Sequence, residues 1–316
     1  MSALLELYDL KKYFKVKNGY LHAVDGIDLS IEEGKTLGVV GESGCGKSTL
    51  GRTVIRLDIP TGGEIVFNGK NFNSCTKRER SEIHKQMQMI FQDPYSSLNP
   101  RMSIQELISE PLIINKVCQN RAAVYEKTAR LMDMVGLAGR LSGAYPHELD
   151  GGRRQRIGVA RALALNPKFV VCDEPVSALD VSIQAQILNL LMDLQDEHGL
   201  TYMFTTHDLS VVRHISDEIA VMYLGKCVER CPSKLLFKDP RHPYTHALLS
   251  AIPIPKAGSR HKRIEAIRGE VTSPVNPKPG CRFAPRCPRV TEACTAEDIP
   301  LRQVAPDHYV ACVLDV

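Results

Sequence analysis

The chain has 316 residues, 43% of them hydrophobic, and a formal net charge of +4. That is length for one large domain with a smaller companion, and apolar material for a substantial core. The charge is too mild to imply nucleic-acid binding, there are no basic blocks like those of nucleic-acid-binding tails, and no apolar run nears the roughly 20 residues that span a bilayer.

Residues Met1 to Leu10 lack the basic stretch and apolar core of a signal peptide, so the chain is expected to stay in the cytosol. Residues 4–33 alternate apolar and polar, which predicts half-buried strands of an antiparallel sheet. Tyr13 lies on the segment before the second of these strands, an aromatic ring that could stack on a purine. Thr36 to Val40 reads as a short buried strand and Thr49 to Leu57 as a helix. Between them, Gly41-Glu42-Ser43-Gly44-Cys45-Gly46-Lys47-Ser48-Thr49 fits the phosphate-loop pattern G-x-x-x-x-G-K-[ST]. Glycines let successive backbone N–H groups converge, and a helix N-terminus adds partial positive charge, so the loop can cradle phosphates. Lys47 would then reach the β- and γ-phosphates of ATP, and Ser48 would hold Mg2+.

Gly62 to Gly69 reads as turn, strand and turn, and Met87 to Phe91 as a strand ending in Gln92, whose side-chain carbonyl could join a Mg2+ shell or orient water. From 102 to 165 apolar residues recur at helical spacing, a helical insertion. It ends in Leu149-Asp150-Gly151-Gly152-Arg153, ahead of an apolar helix from Ile157 to Leu165. Paired glycines followed by arginines at a helix start form a second anion-binding terminus. Phe169 to Cys172 fits a strand buried on both faces. At its end Asp173 is placed to hold Mg2+ through water, and Glu174 to take a proton from an attacking water. A turn at Ser177 to Asp180 precedes a long helix, and the buried strand Tyr202 to Thr206 delivers His207 to the ligand edge of a parallel sheet. Beyond Pro240 prolines punctuate the chain, marking a linker and a small tail.

The order of phosphate loop, Gln92, glycine-pair signature, Asp173-Glu174, Asp180 and His207 resembles the nucleotide-binding subunits of ABC transporters over about 1–250. Phe91-Gln92-Asp93-Pro94-Tyr95-Ser96-Ser97-Leu98-Asn99-Pro100 and the proline-rich, cysteine-bearing tail resemble the oligopeptide and dipeptide importers, with their nickel and oligosaccharide relatives. The resemblance implies an α/β fold: a P-loop NTPase (RecA-like) core with an antiparallel β-subdomain and a helical insertion, plus a small tail domain. The expected boundaries are 1–252 for the nucleotide-binding domain, with the helical part at about 96–165, and 253–316 for the tail. Tyr13 would stack on adenine, Gln92 couple Mg2+ to a membrane subunit, Glu174 act as general base, Asp180 meet the partner across the dimer, and His207 sense the γ-phosphate. The implied assembly has a second ATPase subunit, two membrane-spanning permease subunits and an extracytoplasmic solute-binding protein, with this chain peripheral on the cytoplasmic face. Soluble ABC proteins of DNA repair or translation usually carry paired cassettes or long coiled coils, and this chain has neither. A module that binds ATP only to dimerise would not need Glu174 and His207.

Two features stand apart. The family signature normally reads Leu-Ser-Gly-Gly-Gln, and here Asp150 replaces the serine and Arg153 the glutamine. An ionised Asp150 can only accept hydrogen bonds, and like charges about 4 Å apart repel by roughly 4 kcal/mol at an effective dielectric near 20. This predicts a slow site under Asp150, hence an asymmetric heterodimer, unless Asp150 turns away or Arg153 neutralises it. The second feature is the spacing Cys281-x5-Cys287-x6-Cys294-x17-Cys312, within a chain of 10 cysteines. Four thiolates suit tetrahedral zinc or an iron–sulfur cluster, and free thiols remain open. The family resemblance implies a [4Fe-4S] cluster.

Overall fold

A computed structural model describes residues 3–251, 269 and 272–314. Strands β1 (Ala3–Val16) and β2 (Gly19–Glu32) follow the alternation, and Tyr13 lies within β1 itself. Strand β3 (Thr36–Val40) is buried at every residue and runs into the glycine loop. Helix α1 (Lys47–Val54) starts before Thr49 and stops short of Leu57. Left-handed Gly46 (φ 107°) opens it, and left-handed Arg56 (φ 59°) ends it while Leu57 N–H turns back to the Arg52 carbonyl at 2.9 Å. Strands β4 (Gly62–Phe67) and β5 (Lys70–Asn71) follow. Periodicity does not reveal α2 (Lys77–Gln86), which is mostly polar; its signal is the Thr76/Glu79 capping box. Next come β6 (Met87–Ile90), α3 (Pro94–Ser97), α4 (Ile104–Ile114) and α5 (Arg121–Met134).

Helix α6 (Gly151–Leu163) begins at the glycine pair, well before Ile157, because Asp150 caps it there. Strand β7 (Phe169–Asp173), helix α7 (Val181–His198), strand β8 (Thr201–Thr206) and helix α8 (Leu209–Ile215) continue the alternation. Then follow β9 (Glu218–Tyr223), β10 (Lys226–Pro232), α9 (Ser233–Lys238) and α10 (Pro243–Ser250). The tail carries α11 (Ala293–Ala296), β11 (Arg302–Ala305) and β12 (His308–Val310).

The chain clusters into two compact units. The first comprises Met1–Leu4, Glu32–Lys35 and Ser74–Met203. In it β6 and β7 pair in parallel, Met87 beside Phe169 and Ile90 beside Cys172. Helices α4, α5 and α6 pack on one another and bury Leu107, Ile108, Leu131, Met132 and Ile157. The helical stretch expected at about 96–165 lies wholly within this unit.

The second unit comprises Leu5–Ile31, Thr36–Asn73 and Phe204–Val316. Strand β1 pairs antiparallel with β4, Leu5 beside Phe67. Strands β3 and β9 pair in parallel, β10 runs antiparallel to β9, and β12 runs antiparallel to both β10 and β11. Tail residue Phe283 belongs to this unit's core with Val40, Val212, Ile219, Val221, Tyr223 and Tyr244. The expected boundary between 252 and 253 lies outside the described residues. Among the described residues no helix is long and apolar enough to cross a membrane.

Candidate functional site

The phosphate loop forms a tight shell in the second unit. Gly41 (φ 156°) and Gly46 (φ 107°) hold backbones that L side chains rarely adopt. A Cβ on Gly41 would come within 2.2 Å of the Met222 carbonyl oxygen, and one on Gly46 within 2.1 Å of that of Ala23. Lys47 is buried, and its Nζ donates to the carbonyls of Gly41 at 2.8 Å and Glu42 at 3.1 Å. The ammonium therefore lies folded against the loop. The Glu42 N–H donates to the Tyr244 hydroxyl at 2.8 Å, and Gly225 N–H to the Cys45 carbonyl at 2.8 Å. Ser48 and Thr49 follow in the first turn of α1. His207 emerges, exposed, just past β8.

Tyr13 stacks on His22, ring centroids 3.9 Å apart at 19°. Its hydroxyl donates to Asp25, which also meets His22 Nδ1 at 3.1 Å and the Arg282 guanidinium. Burial opposes ionisation of Asp25, but Tyr13, His22, Lys226 and Arg282 outweigh it and hold the carboxyl at about 2.

The acidic end of β7 lies in the first unit. Asp173 is almost wholly buried at the strand terminus. Glu174 takes a left-handed backbone (φ 44°), rare for a residue with a side chain and characteristic of strained functional positions. Its carbonyl is held by Ser177 N–H at 3.2 Å and Ser177 Oγ at 3.1 Å. Gln92 Nε2 donates to the Glu174 carboxylate at 3.2 Å, so the structure brings together two residues that the sequence separates by the whole helical insertion.

Asp180 caps α7 by accepting Ile183 N–H at 3.0 Å. Asp150 caps α6: its Oδ1 accepts Arg153 N–H at 2.8 Å, and Arg153 Nε lies 3.5 Å from Oδ2. In this chain alone the charge is turned onto its own helix terminus beside a guanidinium, the alternative that the sequence left open. Leu149 is buried, and Gly151 and Gly152 form the first turn. Helix α6 also grips the segment after Gln92, with Arg154 over the Tyr95 ring at 5.2 Å and Arg161 Nη1 donating to the Ser97 carbonyl at 2.7 Å.

The four tail cysteines gather in the second unit. Cys281 feels Cys294 and Cys312, and Cys287 and Cys312 both feel Cys294. Burial pushes the Cys281 thiol up to about 11 and raises Cys287 and Cys312 as well. Two of the sulfurs accept backbone N–H groups, Cys287 from Arg289 and Cys294 from Thr291, each at 3.4 Å. Amides aimed at sulfur suit thiolates, but the potential ligand atoms that lie within 4.8 Å of one another among the described residues are those of Glu229, Cys231 and His308, so the tail thiols do not form a set around a single metal ion.

Sequence reasoning missed Arg282, Arg286 and Tyr244. Arg286 donates to both carboxylate oxygens of Glu42, at 2.7 and 3.2 Å, and to the Tyr223 hydroxyl at 3.2 Å. An arginine beside a cysteine carries no sequence signal of a partner 244 positions away.

A family profile described as ABC transporter matches residues 24–177, and one described as oligopeptide/dipeptide transporter, C-terminal region, matches 228–294. The chain is 49% identical to the oligopeptide transport ATP-binding protein AppF of Bacillus subtilis, over 99% of this chain and 98% of that one. It is also 49% identical to the dipeptide transport ATP-binding protein DppF of Escherichia coli, over 98% of this chain and 93% of the relative. The oligopeptide transport ATP-binding protein OppF of Salmonella typhimurium gives 49% over 99% and 96%. Among solved structures, a dimeric ATP-binding cassette bound to ADP and Pi aligns with a TM-score of 0.66 at 29% identity, covering 72% of this chain and 98% of that one. Protein cbiO1 of Clostridium perfringens, part of an ABC transporter complex, gives 0.67 at 25%, covering 76% and 92%.

Proposed function

The chain belongs to the ATP-binding subunits of ABC transporters, and from that membership we propose that its hydrolysis of ATP drives the import of di- or oligopeptides. One observation carries the peptide reading: the oligopeptide/dipeptide C-terminal region follows the cassette in the same chain. Nickel or an oligosaccharide is the alternative cargo. The test is to purify the native assembly, identify its bound solute, and measure uptake of labelled peptides, nickel and oligosaccharide in vesicles. ATP-dependent peptide uptake is expected; uptake of only the other solutes overturns the peptide reading.

The roles follow from the residues. The amides from Gly41 to Thr49, including Glu42, Ser43, Gly44, Cys45 and Gly46, cradle the phosphates, and Lys47 swings from the loop carbonyls to the β- and γ-phosphates. Tyr13 offers a ring to adenine. Mg2+ neutralises phosphate charge when bound, with Ser48, Gln92 and Asp173 as its holders. Glu174 accepts a proton from water as the water oxygen bonds to the γ-phosphorus. The bond from that phosphorus to the β,γ-bridging oxygen then breaks, leaving ADP and inorganic phosphate. His207 hydrogen-bonds the γ-phosphate. Leu149 to Arg153 cap ATP on a second ATPase subunit, and Asp180 meets that subunit. The working domains are 1–252, with the helical part at about 96–165, and 253–316.

The second subunit is a different chain, because Arg153, 3.5 Å from Asp150, screens the carboxylate only in part, and Asp150 in both halves would leave residual negative charge at both sites. Two permease subunits and an extracytoplasmic binding protein complete the assembly, with this chain peripheral on the cytoplasmic side. Cys281, Cys287, Cys294 and Cys312 hold a [4Fe-4S] cluster. Their convergence and the two amides on sulfur support it. Iron and sulfide assays after anaerobic purification test it, and a colourless, iron-free protein overturns it.

A further inference from the structure

The loop from Cys281 to Cys287 carries two arginines, and both leave the tail. Arg282, next to Cys281, reaches Asp25 and the Leu224 carbonyl. Asp25 in turn receives the Tyr13 hydroxyl. Arg286, next to Cys287, forks onto the carboxylate of Glu42, the second residue of the phosphate loop. Both guanidinium-bearing side chains are nearly buried, at 7% exposure. A buried fork of this kind fixes direction as well as distance.

Glu42 is thereby held at three points: its N–H by Tyr244, its carbonyl by Lys47, and its carboxylate by Arg286. Phe283, between the two arginines, packs 5.3 Å from both Tyr223 and Tyr244, so the same loop also backs the tyrosine that fixes the Glu42 amide. The turn between β9 and β10 closes the circuit. Gly225 N–H bonds the Cys45 carbonyl, the Gly225 carbonyl accepts Asp25 N–H at 2.9 Å, and Leu224 is the residue held by Arg282. Gly225 (φ 83°) has no room for a Cβ, which would meet the His22 oxygen at 2.6 Å.

We propose that Arg282 and Arg286 are positioning residues of the nucleotide site, through which the order of the loop from Cys281 to Cys287 sets the posture of the phosphate cradle and of Tyr13, and hence the affinity for ATP. The inference rests on the reading of the phosphate loop as the nucleotide site. Linkage makes the effect reciprocal: if an ordered loop favours ATP, bound ATP must favour the ordered loop by the same factor.

The test uses the full chain and a fluorescent ATP analogue with Mg2+. Arg286→Met and Arg282→Met are each expected to weaken nucleotide binding on the order of tenfold, raising KM while kcat moves little. The charge swap Glu42→Arg with Arg286→Glu should recover much of the loss, whereas either change alone should not. A second measurement needs no variant. Saturating ATP should slow amide hydrogen exchange across 281–287, read peptide by peptide by mass spectrometry, where the Cys281, Ala284 and Cys287 N–H groups are bonded to the Cys294, Cys281 and Ala284 carbonyls. If the arginine variants keep wild-type affinity, or if ATP leaves exchange in that loop unchanged, the inference is overturned. Should a variant fail to fold, the exchange measurement on the unaltered chain still decides. Lys47→Ala separates the two levels: intact nucleotide affinity in that variant removes the site reading itself, whereas lost affinity there with unchanged arginine variants removes only this inference.

Discussion

Glu229→Gln isolates the contact that pins the tail to the core. Glu229 is fully buried on β10, and its carboxylate accepts Arg241 N–H at 2.8 Å, His242 N–H at 2.9 Å and His308 Nε2 at 2.8 Å. Burial opposes the charge, but His308 and the donors around it prevail and keep the carboxyl below its usual range. Glutamine has the same shape, yet it offers one oxygen and one NH2 to a ring of donors. At least one N–H must then face another donor, and the charge-assisted character of the remaining bonds is lost. A hydrogen bond to a charged group is worth about 1.5–3 kcal/mol, and breaking a buried pair costs about 3–5 kcal/mol, so the change should cost about 3 kcal/mol. Amide hydrogen exchange reads this locally, because Ala311 N–H is bonded to the Val228 carbonyl at 2.9 Å where the tail joins β10. Exchange there should speed up about a hundredfold, since about 1.4 kcal/mol is a factor of ten. Exchange within threefold of wild type would refute the reasoning.

His242 gives a pH signature. Burial holds it down at about 4, from 6.5, and its ring accepts Tyr244 N–H at 3.1 Å. The unfolded chain therefore takes up a proton that the folded chain refuses between pH 6.5 and 4. Stability present above pH 6.5 should fall by about 3 kcal/mol on acidification to 4. His242→Asn should flatten that slope in urea midpoints measured across the window, and an unchanged slope would exclude His242 as its source. Glu174→Gln should abolish ATP turnover in the assembled transporter while nucleotide binding persists; turnover near the wild-type rate would remove Glu174 as the base. Asp150→Ser keeps the α6 cap and removes the charge, so the assembled pair should hydrolyse ATP faster, by at most about tenfold because Arg153 already screens the carboxylate. Equal rates would refute the asymmetric pair.

The segments of the candidate site were legible as structure because each joins a local motif to a local element. A glycine run between a buried strand and a helix, or an Asp-Glu pair at the end of Phe169 to Cys172, states its own geometry. Polar elements were not legible: α2 presents only Ile83 to the interior, so no period appears. The start of α6 was set by the Asp150 cap and not by apolar spacing. Long-range partners left no trace either. Arg286 and Glu42, or Arg282 and Asp25, meet because the tail folds back onto its own unit, and single residues of opposite charge are too common to reveal that in advance.

The tail hairpin also acts as a selvedge. Strand β10 would otherwise present its outer row of amides and carbonyls, from Val228 to Arg230, to any passing strand. Instead β12 covers that row, and the outermost position falls to β11, only four residues long and starting with exposed Arg302 and Gln303. A chain shortened to end before residue 302 would leave the row raw, and its first hazard would be strand-to-strand clumping and not lost catalysis.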